Sequence, residues 1–453
     1  MSATADTARR SDLRTDTRTL IALGAGLIVT LWMASQIEMN LFMAFVAWAL
    51  IAVRTIFHEN TWVRRLTAVA FLVWAIFLPF FHDSGAGFIE DATLALAYTV
   101  MALGLNIIVG FAGLLDLGFV AFYALGALTS GWFMSGFFVH AGGGKGWSFL
   151  VGEPASNLPG LHINFLLVIV IAVVVTTIAG MLIGLPTLRL RGDYIAIVTL
   201  AFGEIVGRIV INGDEIKLGS VPLFGQPLES AFGNGATLTN GRQGITPIDK
   251  INLPFVEPFS GLELRPWYFV ALALVVLVLF VNYRLRDSRL GRAWIALRED
   301  EVAAASMGVP LVKTKLMAYG TGAAFGGMAG VFLGSYLNTV NADQFQFSFS
   351  IFVLSMVILG GLGSIEGVMI GAVVLTFINF NLIPDVFNNY PQKIGLDFDL
   401  TELSFGIFGF LLVIMMVLRP EGLLPERRRQ IELRSGIGDT ELGGGETIEE
   451  VRA

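Results

Sequence analysis

"FLLVIVIAVVVTTIAGMLIG", residues 165–184, carries no charge and nothing more polar than threonine along its 20 positions. At 1.5 Å per helical residue such a run reaches about 30 Å, the thickness of a bilayer's hydrocarbon core. A helix there satisfies its own backbone hydrogen bonds, which lipid cannot do for it. The chain repeats the pattern: apolar segments run near 19–36, 40–53, 66–81, 91–109, 117–137, 162–184, 194–211, 267–283, 313–335, 348–362, 364–383 and 403–418. The fold class that follows is all-α, a polytopic transmembrane bundle of about 10–12 membrane segments, several of them short enough to be re-entrant or broken. Composition agrees, with 55% of residues hydrophobic and 14% charged, where soluble domains carry about a quarter charged. The 52 glycines fit helices that pack backbone to backbone in lipid.

Other classes fall away. Without cysteine there is no disulfide, iron–sulfur cluster or thiol catalysis. His58, His82, His140 and His162 lie at no metal-ligand spacing, so no metal site is expected. A net charge of −7 leaves no basic footprint for nucleic acid. Catalytic acids, histidines and nucleophile–base pairs do not cluster, so an enzyme is not expected. Arg9, Arg10, Arg14 and Arg18 are mixed with acids, and the next apolar run lacks a small-residue cleavage site, which reads as a retained first helix.

The positive charges set a topology. If the N-terminus is inside, 22 of the 29 lysines and arginines fall in inner segments (1–18, 54–65, 185–193, 284–315 and 419–453), six fall in outer ones (138–161, 212–266 and 384–402), and Arg208 is within a span. Basic flanks resist translocation, so both termini are expected in the cytoplasm. The 212–266 segment, with "NGDEIKLGS" and "GNGATLTNGRQG", reads as an external elaboration of turns and short strands. The last 19 residues, "SGIGDTELGGGETIEEVRA", are expected to be disordered.

Within the most basic inner segment stands "SRLGRAWIALREDEVAAASMGVPL", residues 288–311. It cannot span a membrane. Nothing breaks a helix from Ala293 to Met307, and Gly308 followed by Pro310 stops it. Two readings are open: a helix resting on the membrane surface, or one that docks its small-residue half, Val302 to Ser306, into a cleft of another protein.

The substring "EDEVAAASMG" resembles the EAA-type coupling loop of ABC importer permeases, which sits in a groove of an ATPase subunit. On that likeness Arg298, Glu299, Glu301, Ala303, Ala304 and Gly308 are the expected ATPase-coupling residues, with Val302 inserted between acid and alanines. Four longer stretches are similar to the LivM-type permease of branched-chain amino acid ABC importers: "ALAYTVMALGLNIIVGFAGLLDLGFVAFYALGAL" (95–128), "LRLRGDYIAIVTLAFGEIV" (188–206), "SRLGRAWIALREDEVAAASMGV" (288–309) and "SFSIFVLSMVILGGLGSIEGVMIGAVVL" (348–375). The similarity covers about residues 90–420. It implies a cytoplasmic tail (1–18), accessory helices (19–90), a permease core (91–420) containing the external loop 212–266 and coupling loop 284–315, and a cytoplasmic tail (421–453). It also implies a bacterial plasma (inner) membrane location. The implied partners are a second homologous permease, two cytoplasmic ATPases, an external solute-binding protein and membrane lipid. ATP and Mg belong to the ATPases, because the only P-loop-like string here, "AGGGKGWS", has Gly146 where Ser or Thr must follow the lysine.

Polar groups in lipid are expensive and mark a solute pathway. Asn106 and Asp116 flank "GFAGLLDLG", where Gly110, Gly113 and Gly118 permit a broken helix whose amides and carbonyls meet the two ends of an amino acid; the plainer reading is packing at the inner boundary. Glu204 and Arg208, four apart in the order that favours an ion pair, are pathway candidates or a self-neutralising pair. Glu366 is equally ambiguous. Gly322, Gly326, Gly330 and Gly334 line one helix face, a seam for close helix packing that moves if the coupling helix moves. Importing leucine, isoleucine and valine is the leading expectation; a urea or short-amide ABC permease and an ion-coupled secondary transporter are the alternatives.

Overall fold

The structure, a computed structural model, describes residues 72–80, 87–141, 149–151, 159–188, 194–217, 222–223, 226–227, 237–252, 259–387, 403–418 and 422–424. The expected tail 1–18, most of the accessory region 19–90 with His58 and His82, Lys145, and the tail beyond 424 lie outside the described residues.

Among the described residues from 87 onward the α-helices are α1 (Gly87–Asn106), α2 (Val120–Phe133), α3 (Phe137–Ala141), α4 (Phe165–Thr187), α5 (Tyr194–Ile211), α6 (Arg265–Arg286), α7 (Arg289–Glu299), α8 (Glu301–Ser306), α9 (Leu311–Leu337), α10 (Phe347–Gly360), α11 (Ile365–Phe377) and α12 (Ser404–Leu418). Every apolar segment expected from 91–109 onward is one of these. α1 runs on through a π-helical turn, Ile107–Phe111, and among the described residues five helices, α1, α4, α5, α6 and α9, are long and apolar enough to cross a membrane. α10, with 14 residues, reaches only about 20 Å, and α11 runs on through a π-helical stretch, Ile378–Phe387. A tight turn joins them, with Gly361 at φ 119° and Gly363 at φ 84°, conformations that a side chain resists.

Burial separates the centre from the rim. In α1 and α9, 89% and 83% of the apolar window is buried, against 28% in α4 and α5 and 33% in α6. α9 is central because it is thin: a Cβ on Gly104 of α1 would stand 2.9 Å from the Gly322 carbonyl, and one on Gly330 would stand 2.7 Å from the Ala127 amide of α2. Gly326 lies against the ring of Phe119 and the Cβ of Phe122, and Gly334 against Ser130. The expected stripe is therefore the seam of α9 with α1 and α2. On the other side of α9, Gly320 and Gly327 meet Thr177 and Thr176 of α4. α4 buries Val168, Ala172, Thr176, Gly180 and Gly184 at every fourth position and exposes Leu166, Val170, Val174, Ile178 and Leu182, an apolar stripe suited to lipid.

One end of the bundle carries more structure than the sequence suggested. Segment 134–163 contributes β1 (Met134–Ser135), β2 (Phe149–Val151) and β3 (Leu161–Ile163), ordered β1-β3-β2, with β3 antiparallel to β1 and parallel to β2. Within the 212–266 elaboration the expected short strands are β4 (Pro222–Leu223) and β5 (Gln226–Pro227). Its stretch 237–252 is pinned to the bundle: Asp249 meets buried His162 at 2.5 Å, its amide donates to the Met134 carbonyl at 2.7 Å, and Ser335 Oγ donates to its carbonyl at 2.7 Å.

At the opposite end the expected single helix from Ala293 to Met307 is corrected to two. Asp300 is extended, at φ −154° and ψ 112°, and its carboxylate caps α8 by accepting from the Val302 and Ala303 amides. The stop holds: Gly308 follows α8 at φ 84°.

Candidate coupling and translocation site

Three ties fix α7 and α8 to the helices beneath them. Arg298 on α7 donates from Nη1 to the Gly110 carbonyl at 2.7 Å, and its stem lies on Gly113. Trp294, fully buried, donates from Nε1 to the Thr314 carbonyl at 2.9 Å. Glu301, in the first turn of α8, accepts from Lys315 at 2.7 Å. Lys315 is 3% exposed and Glu301 31%, so the pair is more strongly felt than a surface ion pair. The first tie reaches the broken end of α1 and the other two the start of α9. Ala304 is buried on the inner face of α8, whereas Val302 at 62% and Met307 at 85% face outward. Glu299, Ala303 and Gly308 are exposed beside them. Of the residues singled out in the sequence, Arg298, Glu301 and Ala304 thus hold the α7–α8 segment in place, and the others lie on its exposed surface. Lys315, Trp294 and Asp300 were not singled out; Lys315 stands 14 positions from Glu301, a separation with no helical signature.

The break that the glycines after Asn106 permit is present, and its polar groups are already used. The Gly110 carbonyl is taken by Arg298. Asn106 Oδ1 accepts from the Gly363 amide at 2.9 Å, tying α1 to the α10–α11 turn. Before α2, Asp116 Oδ1 accepts from the Gly118 amide at 2.8 Å, Thr199 Oγ1 from the Leu117 amide at 3.0 Å, and Ser350 Oγ from the Val120 amide at 3.0 Å. The broken helix thus offers those groups to its own fold rather than to a solute in this conformation. Asp116 Oδ2 and Tyr319 Oη are buried and accept or donate no hydrogen bond among the described residues. Glu366, in the first turn of α11, accepts from Tyr283 of α6 at 2.9 Å.

Glu204 and Arg208 are placed differently. Both lie on the exposed face of α5, in a side-opening cleft of about 580 Å³ shared with Ile205, Ile209, Asn212 and Glu215. The ion pair expected from their spacing is not formed, and neither is paired with another described residue.

Residues 88–416 match the family model described as "Branched-chain amino acid transport system / permease component". The chain is similar to the high-affinity branched-chain amino acid transport system permease protein LivM of Escherichia coli K12, with 37% identity over 384 residues, 83% of this chain and 79% of that protein. It resembles the probable branched-chain amino acid transport permease protein LivM of Methanocaldococcus jannaschii, at 27% over 73% of this chain and 91% of the relative. A more distant likeness, 27% over 42% of this chain and 59% of the relative, is to LivH of Escherichia coli K12, a permease protein of the same kind of transport system. No solved structure matches the chain.

Proposed function

The chain belongs to the family of branched-chain amino acid transport system permease components, and from that premise we propose that it imports leucine, isoleucine and valine with a second, homologous permease. It is a multi-pass membrane protein and a permease subunit of an ABC importer. Two ATPases bind and hydrolyse ATP with Mg on the side of α7 and α8, which is the cytoplasm, and an external binding protein delivers the solute on the side of β1–β3. The membrane is the bacterial inner membrane, and both termini are cytoplasmic, as the lysine and arginine bias supports.

The observation that carries this reading is the pair of outward apolar side chains, Val302 on α8 and Met307 at its C-terminal cap, on a segment clamped to α1 through Arg298 and to α9 through Glu301. An apolar knob on a clamped helix calls for a protein partner. A partner that moves it also moves the ends of α1 and α9, the two most buried of the long spans among the described residues. The test is to tag the chain in its native host, solubilise gently and identify what co-purifies. Two ATPases and a second permease are expected; Val302→Asp with Met307→Asp should lose the ATPases and keep the permease. A chain recovered alone that carries leucine without ATP would replace this reading with an ion-coupled carrier.

A further inference from the structure

We propose that Glu204 and Arg208 form a transient binding site for a zwitterionic α-amino acid on the outer part of α5, an inference that rests on the permease reading above. α5 buries Ile195, Ala196, Thr199, Gly203 and Val210 and leaves its opposite face open. That face differs from the exposed stripe of α4, which is wholly aliphatic at Leu166, Val170, Val174, Ile178 and Leu182. Charged side chains within the membrane turn to water or protein rather than to lipid. The α4 stripe therefore suits lipid, and the α5 face suits a pathway.

The chemistry of the pair is matched to its guest. A carboxylate and a guanidinium stand one helical turn apart, about 6 Å along the axis, and they engage neither each other nor any other described residue. An amino acid lying along the helix presents its ammonium to Glu204 and its carboxylate to the fork of Arg208, both as charge-assisted hydrogen bonds. Ile205 and Ile209 in the same cleft supply a dry surface for a branched side chain. Glu204 lies about 15 Å along the helix from Tyr194, and the cleft continues past the helix end to Asn212 and Glu215. A solute arriving from the outer side reaches this pair before the inner half of α5. The open side of the cleft leaves room for the second permease as its far wall.

The headgroup of phosphatidylethanolamine carries the same combination of ammonium and anion, so the test separates the two sources. The full assembly with its binding protein is reconstituted in liposomes of phosphatidylcholine and phosphatidylglycerol, and leucine bearing a side-chain diazirine is irradiated during turnover. Label on Ile205 or Ile209 is expected. Glu204→Gln and Arg208→Gln should each lose the label and lower uptake by about ten- to a hundredfold, the loss expected for one charge-assisted hydrogen bond, while ATP hydrolysis continues. The exchanged variant, E204R with R208E, should recover part of both. Uptake within about twofold of the parent in both single variants, taking tenfold per 1.4 kcal/mol as the scale, overturns the proposal. Loss of the second permease from both purified variants overturns it by making the pair an interface contact, and label displaced by added phosphatidylethanolamine overturns it by making the pair a lipid site. If the parent assembly shows no ATP-driven leucine uptake, the permease reading itself has failed, before any variant is compared.

Discussion

Arg298 donates to the carbonyl of Gly110 at 2.7 Å, joining α7 to the broken end of α1 across 188 positions of sequence. The carbonyl lies where α1 loosens into its π turn, a geometry that leaves backbone acceptors without their usual helical donors. Replacing Arg298 with Ala strands that acceptor, at about 1–3 kcal/mol, and cuts the link between α7 and α1. ATP hydrolysis by the reconstituted assembly should persist while leucine carried per ATP falls about tenfold, a loss of one such bond. An unchanged ratio of uptake to hydrolysis would show that force reaches the bundle by another route.

The ion pair between Glu301 and Lys315 makes an asymmetric prediction. Lys315 is 3% exposed, so Glu301→Gln leaves a buried ammonium without its counter-charge, whereas Lys315→Met removes the charge that needed pairing. Breaking a buried pair from one side costs about 3–5 kcal/mol, and the partial exposure of Glu301, 31%, brings the expected value below that. Thermal unfolding in detergent should rank Glu301→Gln as less stable than Lys315→Met, with the double variant closer to Lys315→Met. Equal midpoints for all three would mean that water already screens the pair.

Much of this architecture is legible in the sequence because lipid imposes simple rules. Twenty apolar residues make a span, and the stripe Gly322 to Gly334 makes a seam; both are periodic signals. The stop at Gly308 is legible because its left-handed φ of 84° suits glycine. The break at Asp300 is not, because it depends on tertiary partners: Arg298 is drawn to Gly110 and Glu301 to Lys315, and the carboxylate between them becomes a cap. β1 to β3 are two or three residues long, too short to carry an alternating pattern. The Glu204–Arg208 spacing permits a pair without compelling it, since an exposed pair of this kind is worth only about 0.3–0.5 kcal/mol.

The seam predicts contrasting glycine substitutions. A Cβ on Gly330 would press on backbone atoms of α2, the Ala127 amide at 2.7 Å among them, and backbone in a helix cannot step aside as a flexible side chain can. Gly409 on α12 has open space around it. Gly330→Ala should lower the yield of assembled complex and its thermal midpoint, whereas Gly409→Ala should match the parent or exceed it slightly, since alanine is favoured over glycine in a helix by about 1 kcal/mol. Size-exclusion profiles and melting of the two purified variants decide it; a tolerated Gly330→Ala would mean that α9 and α2 slide apart at little cost.

Asn106 offers a last test because its two polar atoms are used unequally. Oδ1 accepts from the Gly363 amide at 2.9 Å, while Nδ2 is buried with no hydrogen-bond partner among the described residues. Asn106→Leu removes the acceptor and leaves a buried amide unpaired in a turn that has no helical bond to replace it, a cost of about 1–3 kcal/mol. The turn 361–364 sits between α10 and α11, beside Gly110 and so next to the carbonyl that Arg298 holds. Loosening it should raise hydrogen exchange at residues 361–364 and reduce coupling of transport to hydrolysis, as Arg298→Ala does. The double variant with Arg298→Ala should then lose less than the sum of the two, because both cut the same connection. Additive losses would place the Gly363 turn on a separate path from α7.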